Sequence, residues 1–382
     1  MTISEVYTTV FEVNLQGRFI TLDHVMPLLE SYASIFEIEQ IGESELGQGI
    51  PMIKIGHGEK VVLAWSQMHG NESTTTKALF DFFKFCAQKD YFEAEISEFL
   101  ATYSFYVIPI LNPDGAKAYT RENLNGIDLN RDAQQQSQME SKALAAMFDK
   151  IKPGLCLNLH DQRTIYGAAE GKTATVSFLS PAANESRAMT PNREVAMLHI
   201  ARLANMLNNY IPGMIGRYDD SFNANCVGDT FQMAGIPTVL FEAGHATADY
   251  QRSETRAYIF YSFLELFGIT KTGSSEVTVD DYYKIPKNTT NFKDFILRNV
   301  CVNGALDPCD IAVQYEEVLE DEAISFVPKI DFIGDLSTYF GHKEKDGNGL
   351  IVLVNSQVNV EIGVKVSKIL AKDTHSTVFF TV

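Results

Sequence analysis

The stretch KVVLAWSQMHGNE, residues 60–72, opens as an apolar run of strand length and ends on a histidine and a glutamate three residues apart. Such a run, bounded by polar residues and a glycine, reads as a buried β-strand that delivers His69 and Glu72 to its carboxyl end. The next residues change period. From Glu72 to Cys86, apolar side chains recur at Leu79, Phe82, Phe83 and Cys86, which predicts a helix.

The same alternation extends outward from about Lys54 to Gly268. FYVIPIL (105–111), LCLNL (155–159), TVSFL (175–179) and PTVLFEA (237–243) are further strand candidates. Helical spacing returns over Asn192–Tyr210, at Ala196, Ile200, Leu203, Leu207 and Tyr210, and over Glu254–Phe267, which Gly268 stops. Short apolar runs separated by amphipathic helices predict an α/β domain with a mixed, largely parallel sheet flanked by helices. The polar stretch KTGSSE, 271–276, reads as a linker between this α/β domain over 1–270 and a small all-β domain over 276–382. In that second part VNVEIGVKV (358–366) alternates with period two, NG and GNG mark turns, and the acidic EEVLEDE (316–322) is a solvated face or loop.

Composition narrows the function classes. The chain has 382 residues, 45% hydrophobic and 21% charged, which is ordinary globular usage. Its net charge of −18 argues against nucleic acid or an anionic membrane surface as a partner, since each requires a cationic face. No apolar run approaches the ~18 residues that would span a bilayer. The N-terminus, MTISEVYTTVFEVNLQG, has no basic region followed by an apolar one, so a cytoplasmic location is expected. Five widely spaced cysteines suit reduced thiols, Cys301 and Cys309 being the pair nearest in sequence.

Open α/β sheets bind ligands at the carboxyl ends of their strands, where this chain places MHGNE, NPDG, HDQR and EAGH. His69 and Glu72 can converge on one cation across the tight Gly70 turn. A catalytic zinc keeps three protein ligands and one open position, and two His with one Glu is such a set. His160, at the end of LCLNL, supplies the missing histidine. His199 falls within a predicted helix and His57 in a hairpin turn, and His245 supports a neighbouring ligand or the fold rather than serving as a fourth ligand, since a closed site could not activate water. Glu242 is carried by an apolar strand into the mouth of the sheet. There it suits a general base that takes a proton from water and passes it to a leaving nitrogen; the alternative is a glutamate salt-bridged to Arg131 or Arg163. The irregular polar loop 112–132 carries Arg121, Asn130 and Arg131. Two guanidiniums there suit polarising a carbonyl and clamping a carboxylate, against a solvated loop in which Asp128 and Asn130 cap a helix.

At these residues the chain resembles the zinc carboxypeptidase family, the M14 metallopeptidases. HGNE, NPDG, DLNR, the LH of NLHDQ and FEAG match its motifs in order across roughly residues 50–268. The short segment between Glu72 and His160 looks like the compact bacterial branch. The resemblance implies that Arg121 stabilises the oxyanion while Asn130 and Arg131 hold the C-terminal carboxylate of a peptide. No residue matches the family's mobile tyrosine lid, Tyr218 lying nearest its place. Cys226, Val227 and Asp229 are candidates for the side-chain pocket. The acylases resembling aspartoacylase and succinylglutamate desuccinylase share part of the pattern and cut small N-acyl amino acids, so they stand as the alternative enzyme. A non-catalytic zinc- or peptide-binding relative is the third reading.

Overall fold

A computed structural model describes residues 2–273, 276–305, 307–374 and 376–380. Ser274 and Ser275 of the expected linker lie outside the described residues. The chain forms two compact units, Met1–Gln162 with Ala174–Asn288, and Arg163–Thr173 with Thr289–Val382. No helix among the described residues is long and apolar enough to cross a membrane.

The first unit begins with α1 (Ile3–Val10), α2 (Leu22–Tyr32), β1 (Glu37–Glu43), β2 (Gly49–Ile55), β3 (Lys60–Trp65), α3 (Thr74–Ala87), α4 (Glu93–Thr102) and β4 (Tyr103–Ile108). It continues with α5 (Pro113–Ala118), a 3-10 turn (Leu129–Arg131), α6 (Met139–Ile151), β5 (Leu155–Asp161), β6 (Val176–Leu179) and α7 (Pro191–Leu207). Last come β7 (Ile215–Arg217), α8 (Val227–Met233), β8 (Thr238–Ala243), α9 (Ser253–Leu266) and α10 (Val279–Lys284). The eight strands form one mixed sheet in the order β1-β2-β4-β3-β5-β8-β6-β7. Its centre, β4-β3-β5-β8, is parallel, while β2 joins β4 and β6 joins β8 in the antiparallel sense. His57 is therefore not in a hairpin turn: β2 and β3 do not pair, and each lies beside β4.

Alternation along the central strands loads both faces of the sheet. Val62, Ala64, Leu157, Leu159, Val239 and Phe241 enter one core with α3, α7 and α9, where Phe82 packs against Phe99, Phe105, Phe263 and Phe267. Leu63, Trp65 and Cys156 enter the opposite core with α6 and α8. This parity places His160 and Glu242 on the second face, and the β5/β8 register sets them directly beside each other. Beyond the expected linker, Tyr282 of α10 is fully buried and Ile285 joins the first core, so residues up to 288 pack with the first unit.

The second unit is a six-stranded sheet of β9 (Phe292–Cys301), β10 (Cys309–Glu320), β11 (Ala323–Gly334), β12 (Phe340–Val354), β13 (Lys368–Ala371) and β14 (Thr377–Phe380). Their order is β11-β10-β9-β12-β13-β14. Residues 358–366 do not form the expected strand. Gly363 turns there at φ 85°, and Val360 and Val366 enter the core from a loop. Gly347–Gly349 is likewise not a hairpin turn but a register shift within β12. The acidic stretch occupies the exposed end of the β10/β11 hairpin, where Asp321 and Glu322, both at positive φ, make its two-residue turn. All five cysteines are free.

Two loops at the carboxyl ends of β3 and β4 press together. Asn112 accepts from the Gly115 backbone N (2.9 Å) at the start of α5 and donates to the Met68 carbonyl (3.2 Å). Asp114 of NPDG is used structurally, accepting from Ser44 Oγ, the Leu46 backbone N and Gln48 Nε2. A Cβ on Gly70 would stand 2.0 Å from the Gly115 carbonyl carbon, so the turn between His69 and Glu72 closes only around a glycine. Gly70→Ala is expected to destabilise the protein by ~1–3 kcal/mol, as overpacking does. Chemical denaturation checks this, and an unchanged midpoint would contradict the close approach.

Candidate metal centre and active site

His69 leaves the end of β3, Glu72 sits two residues before α3, and His160 is the penultimate residue of β5. Their ligand atoms all lie within 4.8 Å of one another, and this is the group among the described residues that could hold a metal ion. His69 Nδ1 is 2.9 Å from Glu72 Oε1, His160 Nδ1 is 2.8 Å from Glu72 Oε2, and the two Nδ1 atoms are 3.1 Å apart.

The outer contact of His69 fixes what these distances mean. Its Nε2 lies 3.0 Å from Asp128 Oδ1, a pure acceptor when ionised, so the ring proton belongs on Nε2 and Nδ1 presents a lone pair. That lone pair faces a carboxylate oxygen. Two acceptors at 2.9 Å repel unless a proton or a cation lies between them, and here a second imidazole converges on the same point. The set of two imidazoles and one carboxylate, with a carboxylate behind one imidazole, fits zinc.

The metal-free charges agree with this picture. Burial pushes the Glu72 carboxyl up, but the two imidazoles outweigh it and hold Glu72 well below the usual carboxylate range. Burial likewise works against ionised Asp128, and the hydrogen bond and charge of His69, with Arg121, overcome it. His69 is held above its ordinary value because Glu72 and Asp128 outweigh its burial, whereas burial leaves His160 below its own. Glu242 behaves oppositely to Glu72. Burial first, then the charges of Glu72 and Asp161, push its carboxyl well up.

Arg121 donates through Nε (3.1 Å) and Nη2 (3.0 Å) to Asp128 Oδ2, which leaves Nη1 facing Glu72 Oε1 at 3.4 Å. Asp128 thus does more than cap the 3-10 turn through the Asn130 backbone N: it orients both His69 and Arg121. Asn130 Oδ1 accepts from the Val227 backbone N (3.0 Å), so its Nδ2 is the end left to donate. The exposed Arg131 guanidinium reaches Cys226 Sγ at 3.2 Å. Cys226, Val227 and Asp229 therefore cluster at the start of α8 beside Asn130 and Arg131, and burial pushes Asp229 up to about 6. His245 is buried against Tyr250, their rings 4.7 Å apart, and stands outside the convergent group. His199 lies in α7, as expected, and Tyr218 is half-buried just after β7.

The model of the family described as zinc carboxypeptidase matches residues 22–264, well over half of the chain. The chain belongs to the zinc carboxypeptidase family. Solved structures agree on the fold of this zinc carboxypeptidase domain. A metallo-carboxypeptidase from Burkholderia cenocepacia aligns with a TM-score of 0.52 at 13% identity, covering 65% of this chain and 68% of that one. Thrombin activatable fibrinolysis inhibitor aligns at 0.53 and 16%, covering 70% and 79%. A carboxypeptidase A from Helicoverpa armigera aligns at 0.51 and 14%, covering 70% and 78%. The family implies zinc, and the donor set of His69, Glu72 and His160 suits it.

Elemental analysis of zinc-loaded protein should find about one ion per chain, and none after His69→Ala or His160→Ala. Zinc must displace a proton from any charged imidazole, so affinity should fall as pH drops from 8 to 6. The fall should begin above pH 6.5, because His69 titrates above its ordinary value. An affinity flat over that window would mean that neither imidazole is a ligand.

Proposed function

We propose that this protein removes the C-terminal residue of a peptide by zinc-assisted hydrolysis. The observation that carries the reading is the pairing of Glu242 with His160 on adjacent parallel strands and on one face, so that a protonatable carboxylate stands beside the metal group. Zinc held by His69, Glu72 and His160 supplies Lewis acidity, which polarises a carbonyl and acidifies water.

The chain's own residues do the rest. Glu242 takes the proton of the attacking water on its carboxylate and delivers it to the leaving amine nitrogen. Burial, with the charges of Glu72 and Asp161, pushes its carboxyl up, the direction that favours taking up a proton. Arg121, its guanidinium held by two bonds to Asp128, offers Nη1 to the carbonyl oxygen as negative charge develops there. Asn130 Nδ2 and the Arg131 guanidinium receive the free α-carboxylate, a group for which an arginine fork is shaped.

Glu242→Gln keeps shape but removes the proton acceptor, and should lower kcat by ~10²–10⁴-fold while zinc stays bound. Loss of zinc or of the fold in that variant would make Glu242 a ligand or structural residue.

The carboxylate clamp is tested by kcat/KM on matched free-acid, amidated and N-acylated substrates. Free-acid peptides should be strongly preferred, and Arg131→Lys should erode that preference although charge is kept, since lysine cannot make the paired bonds. Equal rates on free-acid and amidated peptides would refute carboxypeptidase action. Rapid cleavage restricted to small N-acyl amino acids would point to an acylase instead.

A further inference from the structure

Glu72 and His160 must meet at one point, yet they arrive from places 88 residues apart in the chain. Glu72 lies in the link that enters α3, and His160 stands near the end of β5. Nothing in either element alone fixes the spacing between them. Backbone pairing of β3 with β5 runs only from Val62 beside Leu155 to Trp65 beside Asn158 and stops short of both ligands, so a contact that joins the two elements nearer the metal group would hold them in place.

Asp161, the last residue of β5, makes that join from both its backbone and its side chain. Its backbone N donates to Glu72 Oε2 at 3.1 Å. Strand alternation turns its side chain to the face opposite His160, towards α3. There Oδ2 accepts from the Thr74 backbone N at 3.0 Å and from Thr74 Oγ1 at 2.5 Å. Thr74 is the first residue of the 14-residue α3. The helix obtains no cap from its own N-cap residue, because Ser73 makes no side-chain capping bond and sends its hydroxyl to the Arg18 carbonyl instead. A carboxylate from another element therefore satisfies an orphan N–H and sits at the positive end of the helix dipole.

The strand that bears Asp161 is itself fixed. Arg252 donates through Nη2 to the Gln162 carbonyl and through Nη1 to the Ala243 carbonyl, each at 2.7 Å, and so ties the end of β5 to the end of β8. The chain of contacts runs from Glu72 through Asp161 to Thr74 on one side, and from β5 to the Glu242-bearing strand on the other.

We infer that Asp161 is a positioning residue of the metal centre, which holds Glu72 and His160 in one constellation by capping α3 from the end of β5. It touches neither the metal group nor substrate through its side chain, and acts by fixing the carboxylate of Glu72 and the first turn behind it. The inference rests on the zinc-hydrolase reading above.

The test measures zinc affinity by competition with a chromophoric chelator, on full-length protein whose fold is checked by circular dichroism. Asp161→Ala should weaken zinc binding by ~10–100-fold, the usual effect of losing a residue that orients a ligand. Asp161→Asn keeps an oxygen that can accept from Thr74 and should stay within a few-fold of the wild type. Phe82→Ala, a core truncation remote from the metal, should lower the melting temperature yet leave zinc affinity unchanged, which separates positioning from general destabilisation. At saturating zinc, Asp161→Ala should lower kcat with little change in KM. A folded Asp161→Ala protein with wild-type zinc affinity overturns the inference, and so does an Asn variant no better than the Ala variant. Should Asp161→Ala fail to fold, Thr74→Val decides: weakened zinc binding in a folded protein supports the role, and unchanged binding overturns it. Wild-type protein that takes up no zinc would defeat the zinc-hydrolase reading itself, a result visible before any variant is made.

Discussion

Two imidazole nitrogens and a carboxylate are pressed together where little water reaches, and each of the contacts is between groups that repel when all are deprotonated. Burying an unpaired carboxylate costs several kcal/mol even after relaxation, and unprotonated imidazole nitrogens facing it would add repulsion to that cost; without a metal, the protons of the imidazoles offset both and hold the Glu72 carboxyl low. A divalent cation removes both terms at once. The surroundings hold the three groups where they converge. Asp128 Oδ1 meets the Nε2 side of the His69 ring and so keeps Nδ1 turned towards Glu72, the close approach of Gly70 to Gly115 leaves no room for a side chain in the turn, and the Asp161 backbone N donates to Glu72 Oε2.

Beneath the site, buried polar contacts add to the apolar packing of Leu15 and Ile20. The segment between α1 and α2 runs across the residues that flank the metal loop, and its carbonyls are met one by one. Gln67 donates to Ile20, Ser73 to Arg18, Lys77 to Gly17, and Arg256 to both Leu15 and Glu12. Arg256 also grips the fully buried Asp81, which accepts from the Glu12 backbone N. Burial, with the charges of Arg256 and Arg18, pulls Lys77 down to about 7. An apolar contact would have been cheaper to bury, but it sets no register; a carbonyl met by a defined donor does.

What could be read from the sequence follows from which signals are local. The five apolar runs of the first domain became strands because burial on both faces demands continuous apolar residues, and those same runs fixed where His69, His160 and Glu242 emerge. The helices that follow Glu72, Thr190 and Arg252 were visible through their period. Contacts between distant segments were not visible. Asp128 read as a capping residue because its local bond to the Asn130 backbone is a short-range pattern, while its bonds to His69 and Arg121 depend on the fold. The carboxylate of NPDG looked chemical and proved structural, since nothing local announces that Ser44 and Gln48 would reach it. In the second domain, period-two alternation over 358–366 misled, because a loop can bury alternate valines without ladder bonds when a glycine at positive φ turns the chain between them.

The division of labour between strands and loops follows from what each group must do. Glu242 and His160 sit at one level of a parallel ladder, whose strand spacing of about 4.8 Å is set by backbone hydrogen bonds and cannot drift with side-chain rotamers. In its proposed role as base, Glu242 would benefit from that rigidity, having to meet one proton of one water. Arg131 and Cys226 instead lie on a 3-10 turn and a helix start joined by the Asn130–Val227 and Arg131–Cys226 bonds, and Arg131 is exposed. In its proposed role as a clamp for the end of a flexible chain, Arg131 could tolerate that freedom, since such a clamp would admit and release a different terminal residue at each turnover. On that reading, rigidity sits with the strand-borne pair His160 and Glu242 and freedom with the loop-borne pair Asn130 and Arg131.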